Sequence, residues 1–193
     1  RETLDDTIEF DDGSTMQIRV GTNGYLLQAP YDGLGRAEGT MIRWHHTGVV
    51  AAIIDNSKDQ YHGMYKKFHE NGALEIDGQY NRNKKEGVWT VYHPHRKPKK
   101  ITTYQNNRAV GMEQQYSFAG ELDKIYIYKS GKPLMNFNSQ NAHEALVTIN
   151  PAEQYVEALN PQEALIKLEE LLGNCEDVLQ TVEQAYSQQP KPS

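Results

Sequence analysis

The chain has 193 residues, 37% of them hydrophobic, and 20 lysines and arginines against 26 aspartates and glutamates leave a net charge of −6. Its mean hydropathy is −0.77, and its longest apolar run, Val49 to Ile54, is far too short for a membrane-spanning helix. A single cysteine, Cys175, excludes an intramolecular disulfide and mildly favours a reducing compartment, with export left open.

The length allows one domain or two small ones. The charge is unevenly spread. Residues 1–60 carry 5 basic and 10 acidic side chains (−5), residues 61–110 carry 10 and 4 (+6), and residues 111–193 carry 5 and 12 (−7). The middle of the chain is a basic island between acidic flanks. The chain opens at Arg1 rather than at a methionine. A removed upstream segment is therefore expected, with a targeting peptide among the candidates, so both a cytoplasmic and an exported protein stay open.

In chain order, Ile8 to Met16 reads as a β-hairpin, because Asp12-Gly13 supplies the positive φ that a tight turn needs. From Gly39 onward a glycine returns every 24 residues, at Gly39, Gly63, Gly87 and Gly111. Five places after each stands an aromatic ring: Trp44, Phe68, Tyr92 and Tyr116. A second glycine follows at Gly48, Gly72 and Gly120, with Arg96 in its place in the third unit. A unit this small cannot bury its own apolar face, so a constant period implies stacked units. In the best-formed unit Met64 to His69 is read as one strand, Glu70-Asn71-Gly72 as its turn and Ala73 to Tyr80 as the return strand. Asn81 to Glu86 then turns into the next unit. Val50, Leu74 and Leu122 make one column of the return strands; Tyr80, Tyr104 and Tyr128 make another. Trp89 and Tyr92, three apart, point to one face only if a bulge intervenes. Residues 15–38, with Asn23-Gly24 matching Asn71-Gly72, read as a degenerate first repeat, and Met135-Asn136-Phe137 as the closing strand.

Beyond Phe137 the expected organisation is a polar connection over 138–149, helices over 150–188 and a frayed tail over 189–193. Asn150-Pro151-Ala152-Glu153 and Asn160-Pro161-Gln162-Glu163 both carry an N-cap, a proline at N1 and a glutamate at N3. The second opens a helix with Leu165, Leu168, Leu171 and Leu172 on one face, closed by Gly173-Asn174. Val178, Leu179, Val182 and Ala185 mark a further helix. These helices are expected to cap the open sheet edge after Phe137.

The pattern Gly-x-aromatic-x-x-aromatic-x-x-Asn-Gly, followed by the Asn81 to Gly87 turn, resembles the MORN repeat, and more narrowly the bacterial variant found in antitoxin-like families. The resemblance covers residues 39–137 and extends weakly back to 15. Repeat three departs from it at His95-Arg96 and repeat four at Glu113, which stands where the first ring belongs. It implies a fold of stacked hairpins and a role as scaffold, dimerisation surface, lipid binder or toxin partner.

The basic island holds the candidate binding residues: Lys66, Lys67, Arg82, Lys84, Lys85, Arg96, Lys97, Lys99 and Lys100. They could meet phosphates of nucleic acid or anionic lipid. The reading preferred is solubility of the exposed sheet, with an acidic protein partner as the use if there is one. His45, His69 and His93 recur at the repeat period, but equivalent positions lie about 10 Å apart, two strands away, too far to share a zinc. His93-x-His95 is the one pair spaced for a shared ion. Gly33 to Gly39 imitates a nucleotide loop with the wrong spacing. Asp55, Ser57 and Asp59 alternate like half a calcium loop that lacks its glycine and distal glutamate. No nucleophile elbow or metalloprotease helix is present.

The expectation is thus an α+β chain, mainly β, that begins with an N-terminal cap over 1–38. An antiparallel meander of MORN-like hairpins follows over 39–137, and then the C-terminal helices. It is expected to be non-enzymatic, to need no cofactor or metal and to bind a protein in the manner of an antitoxin, immunity or scaffold protein. Binding of anionic lipid or nucleic acid through residues 66–100 is the alternative, and the oligomeric state is left open.

Overall fold

A computed structural model describes residues 5–21, 24–152 and 155–173. Twelve antiparallel strands follow one another in chain order within one sheet. They are β1 (Asp5–Glu9), β2 (Thr15–Val20), β3 (Leu26–Tyr31), β4 (Gly39–Trp44), β5 (Val50–Ser57), β6 (Gln60–Phe68), β7 (Leu74–Asn81), β8 (Lys84–Tyr92), β9 (Pro98–Gln105), β10 (Arg108–Tyr116), β11 (Leu122–Lys129) and β12 (Lys132–Asn138). Two helices follow, α1 (Ala142–Ile149) and α2 (Pro161–Gly173), with a single 3₁₀ turn at Val156–Ala158 between them.

Turn chemistry explains the period. At one end of the hairpins Lys58–Asp59, Arg82–Asn83 and Asn106–Asn107 each have two successive positive φ values, from 48° to 69°. That geometry matches the twist of the flanking strands and admits Asn and Asp better than other side-chain-bearing residues. The second residue of each turn also grips a residue 22 earlier. The amides of Asp59, Asn83 and Asn107 donate to the carbonyls of Ala37, Tyr61 and Lys85 at 2.9–3.1 Å. Their side-chain oxygens in return accept the amides of Ala37, Tyr61 and Lys85 at 2.6–2.8 Å. Each of these three turns is thereby clasped to the segment one repeat back. The expected six-residue turn, Asn81 to Glu86, is in fact the two residues Arg82–Asn83, and the strands run correspondingly longer.

The leading glycines Gly39, Gly63, Gly87 and Gly111 all have positive φ, from 68° to 113°. At Gly63 a Cβ would also stand 2.9 Å from an Asp55 carboxylate oxygen, which itself accepts the Met64 amide at 2.9 Å. A bulge recurs at one repeated place in three of the repeats, none of these three falling at the Trp89–Tyr92 stretch for which it was expected. Register shifts fall between Arg43 and Trp44, Lys67 and Phe68, and Gln115 and Tyr116, and such a shift re-aims the ring that follows it.

The chain divides into two compact units: residues 1–98 with 104–107, and residues 99–103 with 108–193. In the first, one sheet face carries packed rings. Tyr65 stacks on Trp89 at 5.4 Å between centroids, and Tyr80 meets Trp89 edge-on at 5.1 Å. Trp89 lies over Gly78, where a Cβ would stand 2.3 Å from the ring. The indole N–H donates to the carbonyl of Gln79 at 3.2 Å.

In the second unit, Leu122, Ile125, Ile127 and Phe137 of β11 and β12 form a core with Ala145 and Leu146 of α1 and Leu165, Leu168 and Leu172 of α2. Each buried leucine or phenylalanine contributes about 1.5–3 kcal/mol. The helices lie on the face of these strands rather than across the edge after Phe137. The start of α2 is closed by a reciprocal box, with Glu163 N donating to Asn160 Oδ1 at 2.9 Å and Asn160 N to Glu163 Oε2 at 3.0 Å.

The α+β class is corrected by this architecture. The described helices are two short segments of 8 and 13 residues beside twelve strands, and they share the strands' core instead of building their own. The fold is a β-rich antiparallel meander of repeated hairpins. Residues 138–149, expected as a polar connection, hold α1. Its Ala142, Ala145 and Leu146 are buried, and with Ile149 they form an i, i+3, i+4, i+7 stripe. Asn150, expected to start a helix, is the C-cap of α1. Val178, Leu179, Val182, Ala185, Cys175 and the tail lie outside the described residues.

Candidate functional site

One face of the first unit carries an open trough of about 960 Å³. Its frame is a transverse row of residues paired directly across neighbouring strands: Arg19 with Leu27, Leu27 with Arg43, Arg43 with Ala52, and Ala52 with Lys67. Directly opposed residues of an antiparallel pair point to the same side. Three cations thus line up on β2, β4 and β6, each about 10 Å from the next because two strand spacings separate them. Leu27, Ala51 and Ala52 form the floor, while Tyr25, His45 and Phe68 close one end. Asp5, Glu70 and Glu75 also line the trough.

The cations differ in how they are engaged. Lys67 pairs with Glu75 at 2.8 Å. Arg19 donates to Gln17 at 2.5 Å and stands opposite Asp5 in register. The side chain of Arg43, exposed in the middle of the row, makes no hydrogen bond or ion pair among the described residues. Burial pushes the Tyr65 phenol above its ordinary value, while the nearby charges of Lys67 and Arg43 pull against that rise. Tyr80 is raised for the same first cause.

Histidine placement follows the repeat. The His45 Nε2–H donates to the carbonyl of Phe68 at 3.0 Å, and the His69 Nε2–H to that of Tyr92 at 3.2 Å. Each ring therefore staples its turn to the next repeat. His45 Nδ1 is buried and makes no hydrogen bond among the described residues. His93 and His95 stack ring on ring at 5.2 Å. No cluster with three or more potential metal-ligating side chains occurs among the described residues.

The basic island does not gather into one patch. Lys66 and Lys67 are strand neighbours and face opposite sides. Lys66 lies 3.7 Å from Asp77 on the far face. Arg82 sits in the turn before β8 and Arg96 in the turn after it, so the nine-residue strand holds them about 30 Å apart. Lys85 lies over Trp89 at 4.4 Å and over Tyr104 at 5.0 Å, a cation–π contact within the ring column. Lys84 and Lys97 are exposed, and Lys99 and Lys100 open β9. Sequence reasoning overlooked Arg19 and Arg43. Their signal was the period itself: residues 19, 43 and 67 are 24 apart, the same interval that defines the glycines.

No protein-family model matches the chain. No curated protein matches it either. Among solved structures, the crystal structure of TarM is similar over 56% of this chain and 21% of that one, at 17% identity and a TM-score of 0.33. The structure of a variant of S. aureus TarM in complex with Fondaparinux, alpha-GlcNAc-glycerol and UDP is similar over 74% of this chain and 23% of that one, at 14% identity and a TM-score of 0.33. The chain thus spans less than a quarter of either structure. Likeness at that level is too slight to speak for fold or activity. No helix among the described residues is long and apolar enough to cross a membrane.

Proposed function

We propose that this chain is a non-catalytic, MORN-like repeat protein that binds another protein through the trough face of its first unit, as a scaffold or an antitoxin-type partner does. The supporting observation is the trough itself: an open surface, walled by cations and rings on regularly spaced strands, with the Arg43 side chain at its centre unpaired among the described residues. A surface of that kind suits an extended partner, because specificity comes from a few placed charges and apolar side chains fill the floor. The scatter of the basic island over both faces and both hairpin ends weighs against a phosphate-backbone surface over residues 66–100.

The test is affinity capture with the full chain, mass-spectrometric identification and reconstitution with the purified partner. Hydrogen exchange of the complex then reports where the partner sits. Slowed exchange over β2 to β6 supports the proposal; failure to reconstitute any complex, or protection confined to other strands, overturns it.

A further inference from the structure

The trough has a spacing that selects its occupant. Arg19, Arg43 and Lys67 repeat about every 9.6 Å across the strands, twice the inter-strand distance. A polyproline-II segment brings every third residue to the same side, about 9.3 Å apart, since it rises 3.1 Å per residue with three residues per turn. A regular β-strand brings like-facing residues together only every second position, about 6.7 Å apart, and misses the row. The chemistry at the row is cationic and planar at its centre. Arg43 offers a guanidinium fork with no partner among the described residues, while Lys67 is already offset by Glu75 and Arg19 is held by Gln17. Between the cations the floor is Leu27 and Ala52, room for the apolar side chains of an incoming segment.

We infer that the trough holds an extended, acidic segment of a partner protein in polyproline-II conformation, with a carboxylate at every third residue and the central one paired bidentately with Arg43. This rests on the protein-binding reading above and deepens it. The expected ranking of the cations follows from their partners. Arg43 carries most of the discrimination, whereas Arg19 and Lys67, already engaged within the chain, carry less.

The experiment uses the full chain and two fluorescently labelled peptides of identical composition: one of four Glu-Pro-Tyr triplets, the other with its glutamates in a single block. At physiological ionic strength the triplet peptide is expected to bind several-fold more tightly than the block peptide. Arg43→Glu is expected to weaken the triplet peptide roughly tenfold or more, the scale of a lost charge-assisted bond. Lys84→Glu, outside the trough, should leave binding unchanged. Arg43 is exposed and its side chain has no partner among the described residues, so an unchanged melting curve of Arg43→Glu is the check that the variant folds. No binding of the triplet peptide, equal binding of both peptides or indifference to Arg43→Glu overturns the inference. So does tighter, Arg43-dependent binding of duplex DNA or phosphatidylserine vesicles. A reconstituted partner that protects β2 to β6 yet binds the Arg43→Glu variant as well as wild type overturns this inference alone. A chain that captures no partner overturns the function from which it starts.

Discussion

The two compact units are built from the same 24-residue hairpin and put its two faces to different uses. In the first unit one column of β7 reads Asp77 and Gln79, and Val88 of β8 lies exposed on the same face. Forty-eight residues on, the equivalents of Asp77 and Gln79 are Ile125 and Ile127, both buried beneath the helices; Met112, one repeat after Val88, packs against that core. The other face changes as well. Gly78 and Trp89 interlock in the first unit, whereas one repeat later Thr102 donates to a buried Glu113 at 2.7 Å, with Gln115 donating to its second oxygen at 2.9 Å. The backbone tolerates either arrangement because turns and ladders hold it. What each face contacts is decided by a handful of columns.

Breaking the helix-covered face should have the largest effect. Leu168 is fully buried against the strands, so Leu168→Ala is expected to cost about 2–5 kcal/mol, the range for such truncations. Denaturant melts followed by circular dichroism measure it; a loss below about 1 kcal/mol would mean that α2 contributes little to the second unit. The corresponding break in the first unit is Gly78→Ala. The new Cβ would stand 2.3 Å from the Trp89 ring, and displacing that ring should cost about 1–3 kcal/mol as overpacking does. Trp89 fluorescence should shift at the same time, and an unshifted emission would show that the ring does not rest on Gly78.

A smaller effect, of opposite sign, sharpens the comparison of repeats. Arg96 has a φ of 72° at the place where Gly48, Gly72 and Gly120 have 84°, 77° and 91°. Arg96→Gly removes a left-handed strain of about 1 kcal/mol, and the melting temperature should rise by a few degrees at most. A fall in melting temperature would show that the arginine side chain contributes more than its backbone costs.

The smallest effect is in pH. Tyr65 and Tyr80 of the first unit are raised above 10.0 chiefly by burial, as is Tyr116 of the second, where the Glu169 carboxylate adds to the rise. A phenol whose folded value exceeds its unfolded one stabilises the protein fully below the unfolded value and loses that contribution as pH rises through the folded value. Stability should therefore decline above about pH 10. Tyr65→Phe and Tyr116→Phe should each flatten part of that decline in melts taken across the alkaline range. Identical slopes for the wild type and both variants would count against burial as the cause.

Much of the fold was legible because its signals act over short distances. Asn83, Asn107 and Asp59 can be read as turn residues from their identity alone, since a positive φ and a side-chain acceptor are local requirements. Asn160 and Glu163 announced their capping box for the same reason. Helix α1 was missed because Asn138-Ser139-Gln140-Asn141 reads as a polar connection, and the stripe from Ala142 to Ile149 is only two turns long. The candidate site was harder to see than the turns. The basic island drew notice as a run in sequence, yet strand alternation sends Lys66 and Lys67 to opposite faces, and β8 keeps Arg82 and Arg96 far apart. Arg19 and Arg43 belong to no run, and only pairing across five strands sets them in one row with Lys67.

By itself, the sequence determined the hairpin period, the conformation of its turns and the start of α2, because each depends on backbone dihedrals and hydrogen bonds made within a few residues. Tertiary structure alone decided which sheet face the helices cover. There Ile125, Ile127 and Phe137 meet Leu146, Leu165 and Leu168 in one core. Gln114 also reaches Glu169 at 3.1 Å and Gln162 the carbonyl of Leu122 at 2.5 Å. These are contacts between elements far apart in sequence that no local preference encodes. The row of cations in the trough was settled in the same way, by strand register, which aligns residues 24 apart only after every hairpin between them has closed.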